Sequence, residues 1–233
     1  MASPEAFRRV ANIIASTEGN KVVVVSAVAG VTNFLVGAAG EKNIDYKGVL
    51  KTFSEKHLEI AEQLFDEKQI VKFLEEFKVR METFEKALRG DRTDPYYMDA
   101  ISSSGERFSS LILAHLLISM GEDSVALTSA AAGIRSAGLP LSGYADLKRT
   151  KADVNMKVRP MLEQGIIPVI TGFYGMNADD RPLTFGRGGS DYSGAVIANA
   201  LKADELQIWT DVDGFMSADP RLVTDAVPIK GMN

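Results

Sequence analysis

The 233-residue chain contains no cysteine, only two histidines and a single tryptophan. The absence of cysteine excludes disulfides, thiolate nucleophiles and zinc sites built on cysteine, and it fits a reducing compartment. No apolar run approaches the roughly 20 residues of a membrane helix, and the first residues lack the pattern of a signal peptide. The net charge of −5 gives no broad cationic surface for nucleic acid or anionic lipid. We therefore expect a cytoplasmic protein that binds neither nucleic acid nor membrane.

Several short catalytic patterns are also missing from the sequence. It has no GxxxxGK[ST], which excludes a P-loop NTPase, and no GxGxxG, which excludes the usual dinucleotide-binding fingerprint. It has no GxSxG elbow and no HExxH, so neither an α/β-hydrolase nor a zinc protease of that type is indicated. The chemistry of this chain must rest on other residues.

Apolar runs alternate with helix-periodic segments along the whole chain. Residues 21–27, "KVVVVSA", are β-branched and apolar on both faces, which is typical of a central strand in a parallel sheet. Further strands are predicted at 123–130, 166–173 and 206–210, with amphipathic helices between them. This alternation predicts an α/β fold with a mostly parallel central sheet.

Residues 44–95 form a segment of different composition. Between Asp45 and Arg89 the sequence is charged and helix-periodic, with one glycine and no proline. A coiled coil is a simple alternative, but the heptad repeat is not sustained. We predict two or three helices that form a lid-like insertion at about 44–95.

Four stretches of small or polar residues fall at or near the ends of predicted strands. They read "SAVAGVTN" (26–33), "TGFYG" (171–175), "FGRGGSD" (185–191) and "WTDVDG" (209–214). Ligands of open α/β sheets bind beyond the carboxyl ends of the strands. The four stretches are therefore the candidate site.

The stretch "FGRGGSD" has the composition of an anion-binding loop. Gly188 and Gly189 allow the backbone to approach a ligand and turn its N–H groups inward. Ser190 is a natural N-cap for the helix that follows, and Arg187 offers a planar fork for a carboxylate or phosphate. Asp191, in the first helical turn, either interacts with the helix dipole or orients a cation close to phosphate. A plain glycine turn with a capping serine is the structural alternative.

Two further stretches carry polar residues that can serve either ligand binding or local structure. Ser26 and Thr32 can bind a polar substrate, or their small size can serve close packing of a strand against a helix. Glu106, in "SSGERF", begins an apolar helix, where it can cap the helix or receive a substrate ammonium.

The acidic stretch "WTDVDGFMSADPR" (209–221) follows the last predicted strand. Asp211, Asp213 and Asp219 suit Mg²⁺ or a ribose, although the spacing is not that of an EF-hand. An acidic surface loop is the alternative.

Together these stretches resemble the aspartokinases, in the amino-acid kinase family, in order and at similar distances over nearly the whole chain. "RGGSD" is specific to aspartokinases, and "WTDVDGF" is most similar to the kinase part of bifunctional aspartokinase–homoserine dehydrogenases. The resemblance implies an amino-acid-kinase-like sandwich over residues 1–233. It also implies ATP-dependent phosphorylation of the L-aspartate β-carboxylate to 4-phospho-L-aspartate, with Mg²⁺, at the first step towards lysine, threonine and methionine.

The resemblance also assigns roles to individual residues. Arg187 is expected to bind a substrate carboxylate and Glu106 the substrate ammonium, with Ser26, Thr32 and Phe173 lining the aspartate site. The phosphoryl group is expected near Gly188, Gly189 and Ser190, with Asp191 organising a catalytic cation, and no protein metal ligands are assigned. The residues expected at the nucleotide are Thr210, Asp211, Gly214, Met216, Asp219 and Arg221.

The sequence departs from the family pattern in three places. A strand and loop reading K-F-G-G-[ST]-S, expected before "ASPEAF", is not present, and the sequence stops before a later lysine-containing segment. Met216 stands where the family often has an aromatic residue. These departures predict a kinase domain that is incomplete at both ends and turns over poorly. The alternatives are another phosphotransferase of the family, or a non-catalytic fragment that pairs with a partner kinase chain; a homo-oligomer is also compatible.

Overall fold

A three-stranded parallel sheet lies at the centre of the protein, in the order β1-β5-β2. The computed structural model describes residues 1–210, 214, 217–218, 222–227 and 229. The strands are β1 (Val23–Val25), β2 (Ser124–Leu127), β3 (Ser136–Leu139), β4 (Ser142–Ala145), β5 (Ile167–Thr171), β6 (Tyr174–Met176) and β7 (Pro182–Thr184). Strands β3 and β4 form one antiparallel hairpin, and β6 and β7 form another.

Ten helices surround these strands within the described residues. They are α1 (Pro4–Ser16), α2 (Val31–Gly40), α3 (Tyr46–Leu64), α4 (Glu67–Leu88), α5 (Tyr97–Ser102), α6 (Gly105–Ser119), α7 (Ser129–Ala132), α8 (Leu147–Lys157), α9 (Arg159–Glu163) and α10 (Gly189–Leu201). The start of α1 is set by Ser3, whose hydroxyl accepts from the Ala6 N–H, and by Pro4 at the first helical position. None of the helices in the described part of the chain is long and apolar enough to cross a bilayer.

Helices cover both faces of the central sheet. Val169 of β5 belongs to a large core shared with α1, α3, α4 and α6, whereas the next residue, Ile170, packs into a second core with α7, α8 and α10. Successive residues of a strand point to opposite faces, so a strand that is apolar throughout can fill both cores. The predicted α/β sandwich with a parallel central sheet is confirmed.

The segment at 44–95 contains two long helices, α3 and α4, followed by a loop to α5. Its aromatic residues pack against the main domain, since the rings of Phe53 and Phe77 each lie about 5 Å from that of Phe108 in α6. The two helices therefore share a core with the sheet. A lid movement of this segment stays a prediction.

One predicted strand is wrong. Residues 206–210 form no strand in the structure, and Leu206, Ile208 and Trp209 are exposed. Apolar alternation favours a strand only where a neighbouring strand accepts its backbone hydrogen bonds, and no described strand pairs with this segment. The two hairpins, by contrast, are present in the structure but are not predicted from the sequence. Their short, glycine-containing strands carry too weak a sequence pattern.

Candidate active site

Three of the four predicted stretches meet at the carboxyl edge of the central sheet. They enclose a cavity of about 210 Å³ lined by Ser26, Phe173 and the loop 186–191. Ser26 directly follows β1, and Phe173 follows β5, which pairs with β1 in parallel. Because parallel strands end at the same edge, their exit loops converge, as expected for a ligand site in this class of fold.

The loop 186–191 turns sharply into α10. Gly188 is the N-cap of this helix, at φ 74°, a left-handed conformation that favours glycine. Ser190, predicted as the N-cap, lies in the first helical turn instead, because the helix already begins at Gly189. The N–H of Gly189 donates to the Gly186 carbonyl at 3.1 Å, whereas the first-turn N–H groups of Ser190 and Asp191 lie before the regular helical hydrogen bonds begin.

Close packing explains why residue 189 is a glycine. A Cβ on Gly189 would lie 2.9 Å from the Phe173 ring and 3.1 Å from the Phe173 carbonyl oxygen. Any other residue at 189 would thus push the two cavity-lining loops apart. Phe173 itself has φ 77°, which is uncommon for a residue with a side chain and indicates a backbone held by its surroundings.

Two exposed charges flank the cavity. Arg187 and Asp191 both line it, and within the described residues neither makes an ion pair. The Arg187 guanidinium is thus available to a carboxylate or phosphate. Asp191 lies in the first turn of α10, beside the N–H groups that would face an anion.

Glu106 is the most unusual charged residue near the cavity. It lies in the first turn of α6, the residue is 3% exposed, and its Oε2 atom has no hydrogen-bond partner among the described residues. Burial raises the pKa of this carboxyl to about 7, although hydrogen bonds from its own backbone and from Ala27 act in the opposite direction. A buried oxygen without a partner is costly, and a ligand that donates to it would remove that cost.

The loop after β1 is packed tightly against the start of α6. A Cβ on Gly105 would lie 2.7 Å from the Ala27 side chain, and the Ser109 hydroxyl donates to the Ser26 carbonyl at 2.7 Å. Glu106 is thus fixed beside the loop that brings Ser26 to the cavity. Thr32, in the first turn of α2, is half-buried on the same loop but does not line the cavity.

Two buried residues that the sequence analysis did not single out hold this arrangement. Ser193 accepts from the Phe173 N–H at 3.0 Å and donates to the Gly189 carbonyl at 2.7 Å, so one hydroxyl joins two cavity loops. Asp99 accepts from the N–H and the hydroxyl of Thr184, directly before the glycine loop, both at 2.7 Å. Their position next to the motifs was the only signal in the sequence, because hydrogen bonds between distant residues leave no local pattern.

The predicted nucleotide residues fall largely outside the described part of the chain. Asp211, Met216, Asp219 and Arg221 are not among the described residues. Thr210 is exposed, and Gly214 is exposed at φ 120°. The predicted roles of all six nucleotide residues therefore stay predictions.

The described residues contain no group of three or more potential metal ligands. Mg²⁺ usually binds through one or two carboxylates together with substrate phosphates, so a preformed protein cage is not required. Asp191 supplies one such carboxylate at the cavity and fits a cation that arrives with a nucleotide.

The chain is similar in sequence to proteins of known activity. The chain is 30% identical to the chloroplastic bifunctional aspartokinase/homoserine dehydrogenase of Daucus carota over 243 residues, covering 100% of this chain and 26% of that protein. It is 38% identical to an aspartate kinase of Pseudomonas fluorescens over 146 residues, covering 60% of this chain and 33% of that protein. The chain thus spans about a quarter to a third of the curated relatives it matches.

Solved structures give the same result. The E. coli aspartokinase III complex with lysine and aspartate matches 98% of this chain and 51% of its own, with a TM-score of 0.84 and 28% identity. The complex of the same enzyme with aspartate and ADP matches the same shares, with a TM-score of 0.80 and 30% identity. The model of the amino acid kinase family matches residues 1–233. This chain belongs to the amino acid kinase family, and its similarity within that family is to the aspartokinases.

Proposed function

We propose that this chain is the kinase domain of an aspartokinase and transfers the γ-phosphoryl group of ATP to the β-carboxylate of L-aspartate. The observation that carries the proposal is the buried Glu106 carboxyl, which has an oxygen without a partner among the described residues. Glu106 does not itself line the cavity, but it is fixed beside the loop that brings Ser26 to the cavity, where the Arg187 guanidinium also lies. An anionic group and a cationic group on two sides of one small cavity suit a zwitterionic amino acid. The matched E. coli structures contain aspartate, and one contains ADP.

The roles of the residues follow from the charges of such a substrate. Glu106 receives the ammonium group, and Arg187 binds a carboxylate through two parallel hydrogen bonds. Ser26 and Phe173 form walls around the bound amino acid, whereas the expected role of Thr32, which does not line the cavity, stays a prediction. The cavity of about 210 Å³ is below the roughly 300–1,000 Å³ of typical drug-sized pockets, which suits a small metabolite.

The transfer step needs no general base. An aspartate side chain has a pKa of about 4 and is ionised at neutral pH. One carboxylate oxygen forms a bond to the γ-phosphorus, the bond from that phosphorus to the bridging oxygen breaks, and ADP leaves with the electron pair. The main barrier is the repulsion between the carboxylate and the triphosphate.

The residues of the glycine loop reduce this repulsion. The N–H groups of Ser190 and Asp191 lie in the first turn of α10, before the regular helical hydrogen bonds begin, where the helix dipole favours negative charge. Mg²⁺ bound to the phosphates would neutralise part of their charge. Asp191 holds the position from which a carboxylate can orient that cation.

Binding and turnover of paired ligands test the proposal. We expect calorimetry to show L-aspartate binding more tightly than succinate, which has both carboxylates but no ammonium, and we expect ADP release that depends on aspartate. Arg187→Gln should weaken binding of both ligands, whereas Arg149→Gln, on the exposed side of α8, should weaken neither.

Three results would contradict the proposal. Equal affinity for aspartate and succinate would show that Glu106 does not receive an ammonium. Phosphorylation of UMP or of another acid, with none of aspartate, would make the chain a different kinase of the family. Binding of no acceptor, together with tight binding to a kinase partner chain, would identify a non-catalytic fragment.

A further inference from the structure

We propose that Asp99 is a positioning residue that sets the separation between Glu106 and Arg187, and with it the preference for a zwitterionic substrate. The proposal rests on the proposed function. Asp99 lies in α5, is fully buried, and makes no ion pair among the described residues. A carboxyl group in such a place is retained only if N–H and O–H donors satisfy it.

Asp99 is satisfied by two segments that are distant in the sequence. Its Oδ1 atom accepts from the Thr184 N–H and the Thr184 hydroxyl, both at 2.7 Å. The Leu141 N–H, in the turn between β3 and β4, is shared by both oxygens at 3.1 Å each. One side chain therefore ties α5 to the end of β7 and to the tip of a hairpin.

Both tied segments lead directly to the glycine loop. Thr184 is three residues before Arg187, and the Leu141 carbonyl lies 4.0 Å from where a Cβ on Gly186 would be. Leu141 has φ 61°, a strained conformation for leucine that the bond to Asp99 helps to maintain. The path from Asp99 to the backbone of Arg187 is thus short and braced from two sides.

On its other side, Asp99 is connected to Glu106 through the short, hydrogen-bonded turn between α5 and α6. The Ser103 N–H donates to the Asp99 carbonyl at 3.1 Å, and the Ser104 hydroxyl donates to the Ala100 carbonyl at 2.8 Å. Gly105 then starts α6 in close contact with Ala27. Because both paths are braced, the position of the Asp99 carboxyl determines how far the anionic group lies from the cationic group.

Asp99→Asn tests this separation with little change in volume. The amide keeps the oxygen that bonds Thr184 and half of the shared bond from Leu141, but its NH₂ group replaces the second acceptor, so one donor then lies against the Leu141 N–H. We expect the affinity for L-aspartate to fall about tenfold, while the affinity for succinate, which does not use Glu106, falls much less. The affinity for ADP should stay unchanged. An equal loss for aspartate and succinate would overturn the proposed control of separation.

A pair of threonine variants covers the case in which Asp99→Asn does not fold. Thr184→Val removes one donor to Asp99 and should shift the aspartate-to-succinate ratio in the same direction, whereas Thr184→Ser keeps the hydroxyl and should restore it. Thr150→Val is the matched control, because Thr150 is also fully buried and bonded to backbone, but it joins α8 to Arg135, the residue before β3, and does not line the cavity. A shift of the ratio in Thr150→Val, or none in Thr184→Val, would also overturn the proposal.

Amide exchange separates a failure of this inference from a failure of the proposed function. If the wild-type chain binds no aspartate, the proposed function fails. Asp99→Asn should still accelerate exchange at Leu141 and through residues 184–189, more than Thr150→Val does. If exchange in these segments is no faster than in the control, Asp99 does not position the loop, whatever the chain binds.

Discussion

At the scale of single residues, Glu106 shows how a site can be stable and yet incomplete. Within the described part of the chain nothing bonds to one oxygen of this carboxyl, and its pKa is about 7, because burial disfavours the charged form. Folding alone therefore favours the neutral acid, while an incoming ammonium favours the anion. The residue is poised between the two states near neutral pH, as expected for a binding group rather than a structural one.

We expect the affinity for L-aspartate to depend on pH through Glu106. Below about pH 7 the free protein holds a proton on this carboxyl. The apparent dissociation constant for L-aspartate should therefore rise about tenfold for each unit by which the pH is lowered further. Calorimetry between pH 5.5 and 8 checks this. Glu106→Gln should bind aspartate weakly with no such dependence, and a dependence that persists in the variant would assign it to another group.

The same variant has a predictable effect on stability. The folded-state pKa of Glu106 is raised above the ordinary value of 4.5, so the stability linked to its neutral form is complete below pH 4.5 and is lost as the pH rises through 7. Glu106→Gln should therefore melt at a higher temperature than the wild type at pH 8, with the difference shrinking towards pH 4.5. A lower melting temperature at pH 8 would contradict the cost of the buried charge.

At the scale of elements, the cavity depends on contacts between loops that leave different strands. The loop after β5 and the loop before α10 are joined by the hydroxyl of Ser193, which bonds Phe173 on one side and Gly189 on the other. Phe173 has a left-handed backbone and contacts Gly189 closely, so the two loops fit only as a pair. The helix α10 thus positions the far wall of the cavity as well as its own N-terminus.

Ser193→Ala should loosen this pair of loops. The Phe173 N–H would lose its acceptor in a buried place, which costs about 1–3 kcal/mol of unfolding free energy, and aspartate binding should weaken. Ser193→Thr keeps the hydroxyl and should retain both properties. Ser119→Ala is the matched control, since it removes a hydroxyl bonded to a helix carbonyl at the opposite end of α6. Unchanged aspartate affinity in Ser193→Ala would show that the hydroxyl serves only the helix.

At the scale of the whole molecule, a single aromatic core links the helical insertion to the domain that carries the site. His57 lies within this core, fully buried among Phe53 and Phe108, where its Nδ1–H donates to the Phe53 carbonyl at 2.7 Å. Its Nε2 has no partner in the part of the chain that the structure describes. Burial lowers the pKa of this imidazole to about 4. Protonation of His57 in acid is consequently expected to destabilise the packing of the insertion.

We expect acid to destabilise the fold through His57. Its folded-state pKa is below the ordinary value of 6.5, so this stability is complete above pH 6.5 and falls by about 3 kcal/mol as the pH approaches 4. Urea unfolding at several pH values measures this loss. His57→Leu should flatten the dependence, whereas Phe84→Leu, in the same cluster, should lower stability similarly at every pH. An equally steep dependence in His57→Leu would rule out this origin.

Sequence determined the class of fold and the composition of the site. Apolar strands filled on both faces, amphipathic helices between them, and the glycine loop with Arg187 and Asp191 are local patterns, so each can be read from neighbouring residues. The resemblance to aspartokinases then gave the family that the comparisons confirm. Residues 206–210 show the limit of this reasoning, because an apolar run becomes a strand only where a neighbour pairs with it.

Tertiary structure alone decided how the charged groups are held. Gly188 rather than Ser190 caps α10, Glu106 has an oxygen without a partner among the described residues, and Asp99 bonds to Thr184, 85 residues further along the chain. None of these features produces a sequence pattern with the period of a helix or a strand. Burial and hydrogen bonding between distant segments exist only once the chain has folded, and these two factors set the charge of a buried carboxyl and the direction of a loop.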